Sequence, residues 1–123
     1  MGGRGSSGNN KGGSFSAPSM SGSEKQVAWA KDIIETPYLN LGLRAEGAAT
    51  IAKRFERAVG SAMGYRREEA AYRAAQARYA EVINTMARNA SRGIRSGDII
   101  DRRGAFQQAA NELAEEELQK RRR

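Results

Sequence analysis

The 123-residue chain contains no cysteine and no histidine. Without cysteine it has no disulfides, no thiolate nucleophile and no zinc–thiolate site. Without histidine it loses the commonest general base, the commonest metal ligand and the Ser/His/Asp triad. No Gly-rich phosphate loop of the Walker or Rossmann pattern occurs. β-branched residues are isolated and never alternate over the length of a strand. No apolar run approaches the length of a membrane span, and the N-terminus lacks the apolar stretch of a signal peptide. These absences predict an all-α, cytoplasmic protein that is not an enzyme, takes no cofactor or metal, and has no membrane partner.

Positive charge is what the chain has in excess. Lys and Arg number 21 against 14 Asp and Glu, for a net charge of +7. Tyr65 to Arg92 alone contributes +3, so the excess centres on one internal segment and not on a terminal arm. A pI near 10.2 draws a protein to nucleic acid, acidic protein surfaces or anionic lipid, and charge alone does not choose among them.

Residues 1–22 hold seven Gly and six Ser and read as a disordered tail with only Phe15 and Met20 to bury. The remainder, 23–123, reads as one small bundle of about four helices. Ser23 and Gln26 have capping-box spacing, with Glu24 in the first turn, so a helix starts there. Val27, Ala30 and Ile34 share its face, and Thr36-Pro37 is expected to end it. Tyr38 to Gly47 reads as a connection. A second helix over about 48–63 carries an apolar stripe of Ile51, Ala52, Phe55, Val59, Ala62 and Met63, with Lys53, Arg54 and Arg57 on its basic side and Gly64 as its cap. The long amphipathic helix, Tyr65 to Arg92, follows and stops at Gly93. After a short piece around Ile99 and Ile100, a last helix over about 105–120 places Phe106, Ala109, Ala110, Leu113 and Ala114 inwards.

The long helix sorts its chemistry. Tyr65, Tyr72, Tyr79 and Met86 recur every seven residues. At about 100° per residue, Ala75, Val82, Ile83 and Ala90 share their arc. This stripe is expected to be core or a helix–helix seam, the latter allowing a homo-oligomer, in preference to a base-stacking surface. Trp29 is expected to be a core anchor, with an exposed stacking platform as the alternative. Arg66, Arg67, Arg73, Arg78, Arg88 and Arg92 fall on the other side of the long helix, with no lysine among them. Guanidinium groups form planar bidentate contacts to phosphate or carboxylate. Together with Arg54 and Arg57 they are the candidate nucleic-acid or partner-binding residues, weighed against a merely solvated face. Asp98 and Asp101 read as caps or salt-bridge partners, and Glu115 to Glu117 as a solvated run.

Gly22 to Ile33, GSEKQVAWAKDI, resembles a segment of small proteins of bacterial phages and mobile elements. MGGRGSSG resembles the N-terminal tails of phage-encoded proteins of Gram-positive bacteria. In that group a W-I-D-N-R-like segment follows, whose nearest counterpart here is Ile99 to Arg103, without the tryptophans. The resemblance implies an accessory role inside a host bacterial cell: a nucleic-acid factor, an anti-CRISPR-like inhibitor of a CRISPR nuclease or other nucleoprotein complex, or a head-assembly component.

Overall fold

The computed structural model describes residues 15–122. Among them run four helices: α1 (Glu24–Val59), α2 (Met63–Asn89), α3 (Ser96–Asp101) and α4 (Arg103–Lys120). The all-α class and the long amphipathic helix agree with expectation, but the partition differs. The two helices expected over 23–36 and 48–63 are a single helix of 36 residues, about 54 Å long at 1.5 Å per residue.

α1 starts as its sequence signals: the Gln26 N–H donates to Ser23 Oγ at 3.3 Å. It does not stop at Thr36-Pro37. Pro37 removes one backbone donor, and an internal proline costs about 3 kcal/mol. Two side chains of α2 donate to α1 carbonyls on either side of it. Tyr79 Oη donates to the Ile34 carbonyl at 2.6 Å and Gln76 Nε2 to the Tyr38 carbonyl at 3.0 Å. Pro37 and Tyr38 are themselves buried, and this packing carries the helix through the proline. The expected connection at Tyr38 to Gly47 is therefore helical, with Leu41 and Ala45 in the interior. α1 ends at Gly60, whose φ of 83° lets its N–H reach the Glu56 carbonyl at 2.9 Å. Gly64, the expected cap, lies inside the first turn of α2.

α1 and α2 form an antiparallel hairpin, with Glu56 opposite Arg66 and Ile34 opposite Tyr79. Buried side chains along its middle are small: Ala45, Ala48 and Ala52 on α1, Ala71 and Ala75 on α2. Such residues let two helix axes approach closely. α4 runs antiparallel to α2 and covers one side of the hairpin, and α3 packs on α1. Tyr79, Ile34 and Ile83 are the largest apolar side chains sealed in the core. No helix among the described residues is long and apolar enough to cross a membrane.

One small sheet departs from the strand-free expectation. β1 (Met20–Ser21) pairs in parallel with β2 (Ile94–Arg95), Met20 opposite Ile94 and Ser21 opposite Arg95. Of the tail expected over residues 1–22, residues 1–14 lie outside the described residues, while residues 15–22 are laid along the bundle. Phe15 stacks on Tyr38 with ring centroids 4.5 Å apart, and the Ala17 N–H donates to Glu35 at 2.8 Å. Gly22, at φ 136°, passes so close to Ser96 that a Cβ there would collide with the serine hydroxyl.

Candidate functional site

The tyrosine stripe of α2 turns inwards within one chain. Tyr79 is fully buried, and burial pushes its phenol above the ordinary range. Tyr72 and Met86 pack at the edge of the same core. Tyr65 meets Phe55 of α1 at 5.1 Å between centroids. Val82 departs from the expected seam: it is 49% exposed, because three positions beyond Tyr79 place it about 60° off the stripe.

The arginines of α2 do not share one surface. Arg66 faces α1, binding both Glu56 oxygens at 2.8 Å and Glu69 at 2.9 Å. These bonds hold the Glu56 carboxyl below the ordinary range. Arg73 lies 3.6 Å from Glu69. Arg78 faces α4 instead, contacting Glu117 at 2.9 Å and Glu116 at 3.0 Å. Glu117 corrects the expectation of a solvated glutamate run. It is only 4% exposed and is held by Arg78, Lys120 and Arg121. The Arg121 hydrogen bond, with those from Lys120 and Arg78, outweighs desolvation and lowers its pKa to about 2. Asp98 forms a 3.6 Å pair with Arg95, as a salt-bridge partner would.

Among the cations that make no ion pair within the described residues are Lys53, Arg54, Arg57, Arg67, Arg88, Arg92 and Arg122. All are exposed. Arg88 bonds Thr85, and Arg92 lies past the end of α2. The remaining five gather at one end of the bundle, where α1 ends, α2 begins and α4 ends. A notch of about 260 Å³ there is lined by Gly64, Arg67, Glu68, Tyr72, Leu118, Arg121 and Arg122. Arg44 lies over the Tyr72 ring at 5.8 Å. α2 starts beside this notch with no side-chain cap and no acid in its first turn, so its partial positive charge adds to that of the arginines. Arg44, Arg121 and Arg122 were not among the candidates read from sequence, because a basic C-terminus already has an explanation in the helix dipole and α4 places its last turn only through tertiary packing.

Apolar groups flank these cations. Val59 is 69% and Met63 60% exposed, with Ile51 and Phe55 also exposed. The apolar stripe expected over 48–63 is therefore largely open to solvent, with only Ala52 and Ala62 of it buried, along with Ala48. At the opposite end Trp29, expected as a core anchor, is 50% exposed, because the core stripe of α1 runs through Ala30 and Ile34 beside it. A separate open groove between α1 and α2, lined among others by Leu39, Leu43, Arg73 and Gln76, begins at Phe15. Compared with protein-family models, curated proteins and solved structures, the chain matches none of them.

Proposed function

We propose that the protein works by binding, as a non-enzymatic accessory protein that engages nucleic acid or a nucleoprotein complex through the basic end of its helical hairpin. The notch that brings Arg67, Arg121 and Arg122 together from two helices carries this reading. Lys53, Arg54 and Arg57 add positive charge in the last two turns of α1, at the same end of the hairpin. The guanidinium groups of Arg67 and Arg122, which make no ion pair among the described residues, suit phosphate oxygens beside an uncapped helix start, while Arg121 is shared with Glu117. The resemblance of Gly22 to Ile33 to phage and mobile-element proteins supports a setting in which the target is a host defence nucleoprotein, blocked stoichiometrically as an anti-CRISPR-like inhibitor would block it. A second reading, phage assembly by helix–helix oligomerisation, is favoured by the exposed Phe55, Val59 and Met63.

Binding of labelled DNA and RNA across a salt series tests the first reading. Reversing Arg54, Arg67 and Arg122 to Glu is expected to weaken binding and flatten its salt dependence. Each lost phosphate contact removes about 0.7–0.9 from the slope of log affinity against log salt. Affinity and slope unchanged in the triple variant would overturn it. A molecular mass that falls on Phe55→Ala with Met63→Ala, without loss of nucleic-acid binding, would favour the second.

A further inference from the structure

The only tryptophan of the chain lies on the surface at the end of the bundle remote from the basic notch. About 26 residues of α1 separate Trp29 from Phe55, roughly 39 Å at 1.5 Å per residue. We propose that Trp29, backed by Arg103, is a stacking platform for a base of single-stranded nucleic acid, an inference that rests on the nucleic-acid reading above.

The geometry supplies the parts of such a platform. Arg103 carries its guanidinium carbon 5.7 Å from the centroid of the Trp29 ring. The guanidinium is fixed there, since Nη1 donates to the Ile100 carbonyl at 2.9 Å. The indole is therefore held by a cation while half its surface stays open to solvent. Lys25, one helical turn before Trp29, and Arg102, beside Arg103, are exposed and make no ion pair among the described residues. Both offer positive charge near Trp29 in the chain or next to its Arg103 partner, available to the phosphates of a strand that crosses the ring. Asp32, three residues beyond Trp29, is an exposed carboxylate on α1, and its charge would turn a phosphate backbone away from itself.

The ligand is a single strand for a physical reason. In a duplex the π-faces of the bases are already occupied by their neighbours, whereas an unpaired base presents a free face to an aromatic ring. Arginine is also the cation best matched to an indole face, being planar and weakly hydrated.

Because Trp29 is the only indole, its fluorescence reports on the platform alone. The full chain is titrated with a fluorescein-labelled oligothymidylate of about twelve nucleotides, within the site sizes of single-strand binders, and with a labelled blunt-ended duplex. Anisotropy and tryptophan emission are read together. The expected result is saturable quenching by the single strand, with the same midpoint as the anisotropy. Trp29→Ala should weaken single-strand affinity about 5- to 100-fold, leave duplex affinity unchanged, and be largely rescued in Trp29→Phe. Single-strand binding without quenching, and insensitive to Trp29→Ala, overturns the platform and leaves the basic notch standing. Absence of binding to either nucleic acid at low salt overturns both. If Trp29→Ala loses its helical circular dichroism, quenching in the unaltered protein and the affinity of Arg103→Ala decide the matter.

Discussion

The two halves of the α1–α2 hairpin are built from the same kind of helix and end in opposite environments. Around Pro37 the stripe of α1 meets Tyr79 and Ile83, with Phe15 laid over Tyr38 and α3 and α4 on the sides. Beyond Ala52 the same spacing continues through Phe55 and Val59, yet both side chains face solvent. Residue type does not explain the difference, since Phe55 and Val59 are as apolar as Ile34 and Leu41. The third layer explains it. α4 runs along the α2 side as far as Gly64 and Arg67, the strap of residues 15–22 and α3 pack elsewhere, and none of these described elements covers the open side of Phe55 and Val59. An apolar surface that the chain does not bury itself, set beside unpaired arginines, has the composition of an interaction surface.

The sharpest test of that comparison is a pair of truncations. Tyr79→Ala is expected to cost about 3–5 kcal/mol, as for large aromatic side chains in a core. It also removes the hydrogen bond from the Tyr79 hydroxyl to the Ile34 carbonyl. Phe55→Ala on the open half is expected to cost less than about 1 kcal/mol. Urea denaturation of both variants checks the contrast, and equal losses would mean that the tip is covered in solution.

A smaller effect is expected at the border, where Glu117 ties α4 to α2. Replacing it with Gln removes charged hydrogen bonds worth about 1.5–3 kcal/mol. The pH dependence has a definite sign. The folded pKa of Glu117, about 2, lies below the ordinary value of 4.5, so its stabilisation is fully present above pH 4.5 and is lost as pH falls from there towards 2. Melting temperatures measured from pH 7 to pH 2 should fall less steeply in Glu117→Gln. Parallel curves for the two proteins would show that the carboxylate is not clamped.

The smallest effects come from two glycines of α1. A Cβ on Gly47 meets nothing within 4 Å, whereas one on Gly42 would sit 2.7 Å from Gln76 Nε2. Gly47→Ala should stabilise by about 0.5–1 kcal/mol, the ordinary helix preference. Gly42→Ala has the same gain but displaces the Gln76 bond to Tyr38, worth about 1 kcal/mol, so its net effect should be near zero. Thermal melts of the two variants measure the difference, and equal gains would mean that Gln76 contributes nothing to carrying α1 past Pro37.

Much of the fold is legible without coordinates. The start of α1 at Ser23 is a local matter, because a hydroxyl three residues from the Gln26 amide is enough. The core side of α2 follows from the seven-residue recurrence of its tyrosines, since a helix shows one stripe to its neighbours whatever they are. The candidate site is less legible. Six arginines share a sector of a helical wheel, but Arg66 and Arg78 are taken by carboxylates of two different helices. Arg67 instead lines one notch with Arg121 and Arg122, just past the end of a helix some fifty residues away.

By itself, then, the sequence determined the helical class, the cap at Ser23, the buried face of α2 and the strong positive charge, all set by neighbours within about one or two turns. Only the tertiary structure decided that α1 runs through Pro37, that Trp29 stands outside, that Glu117 is enclosed and which cations stay unpaired. Each of those depends on donors, carboxylates or cover supplied from tens of residues away, and a helical wheel does not contain its neighbours.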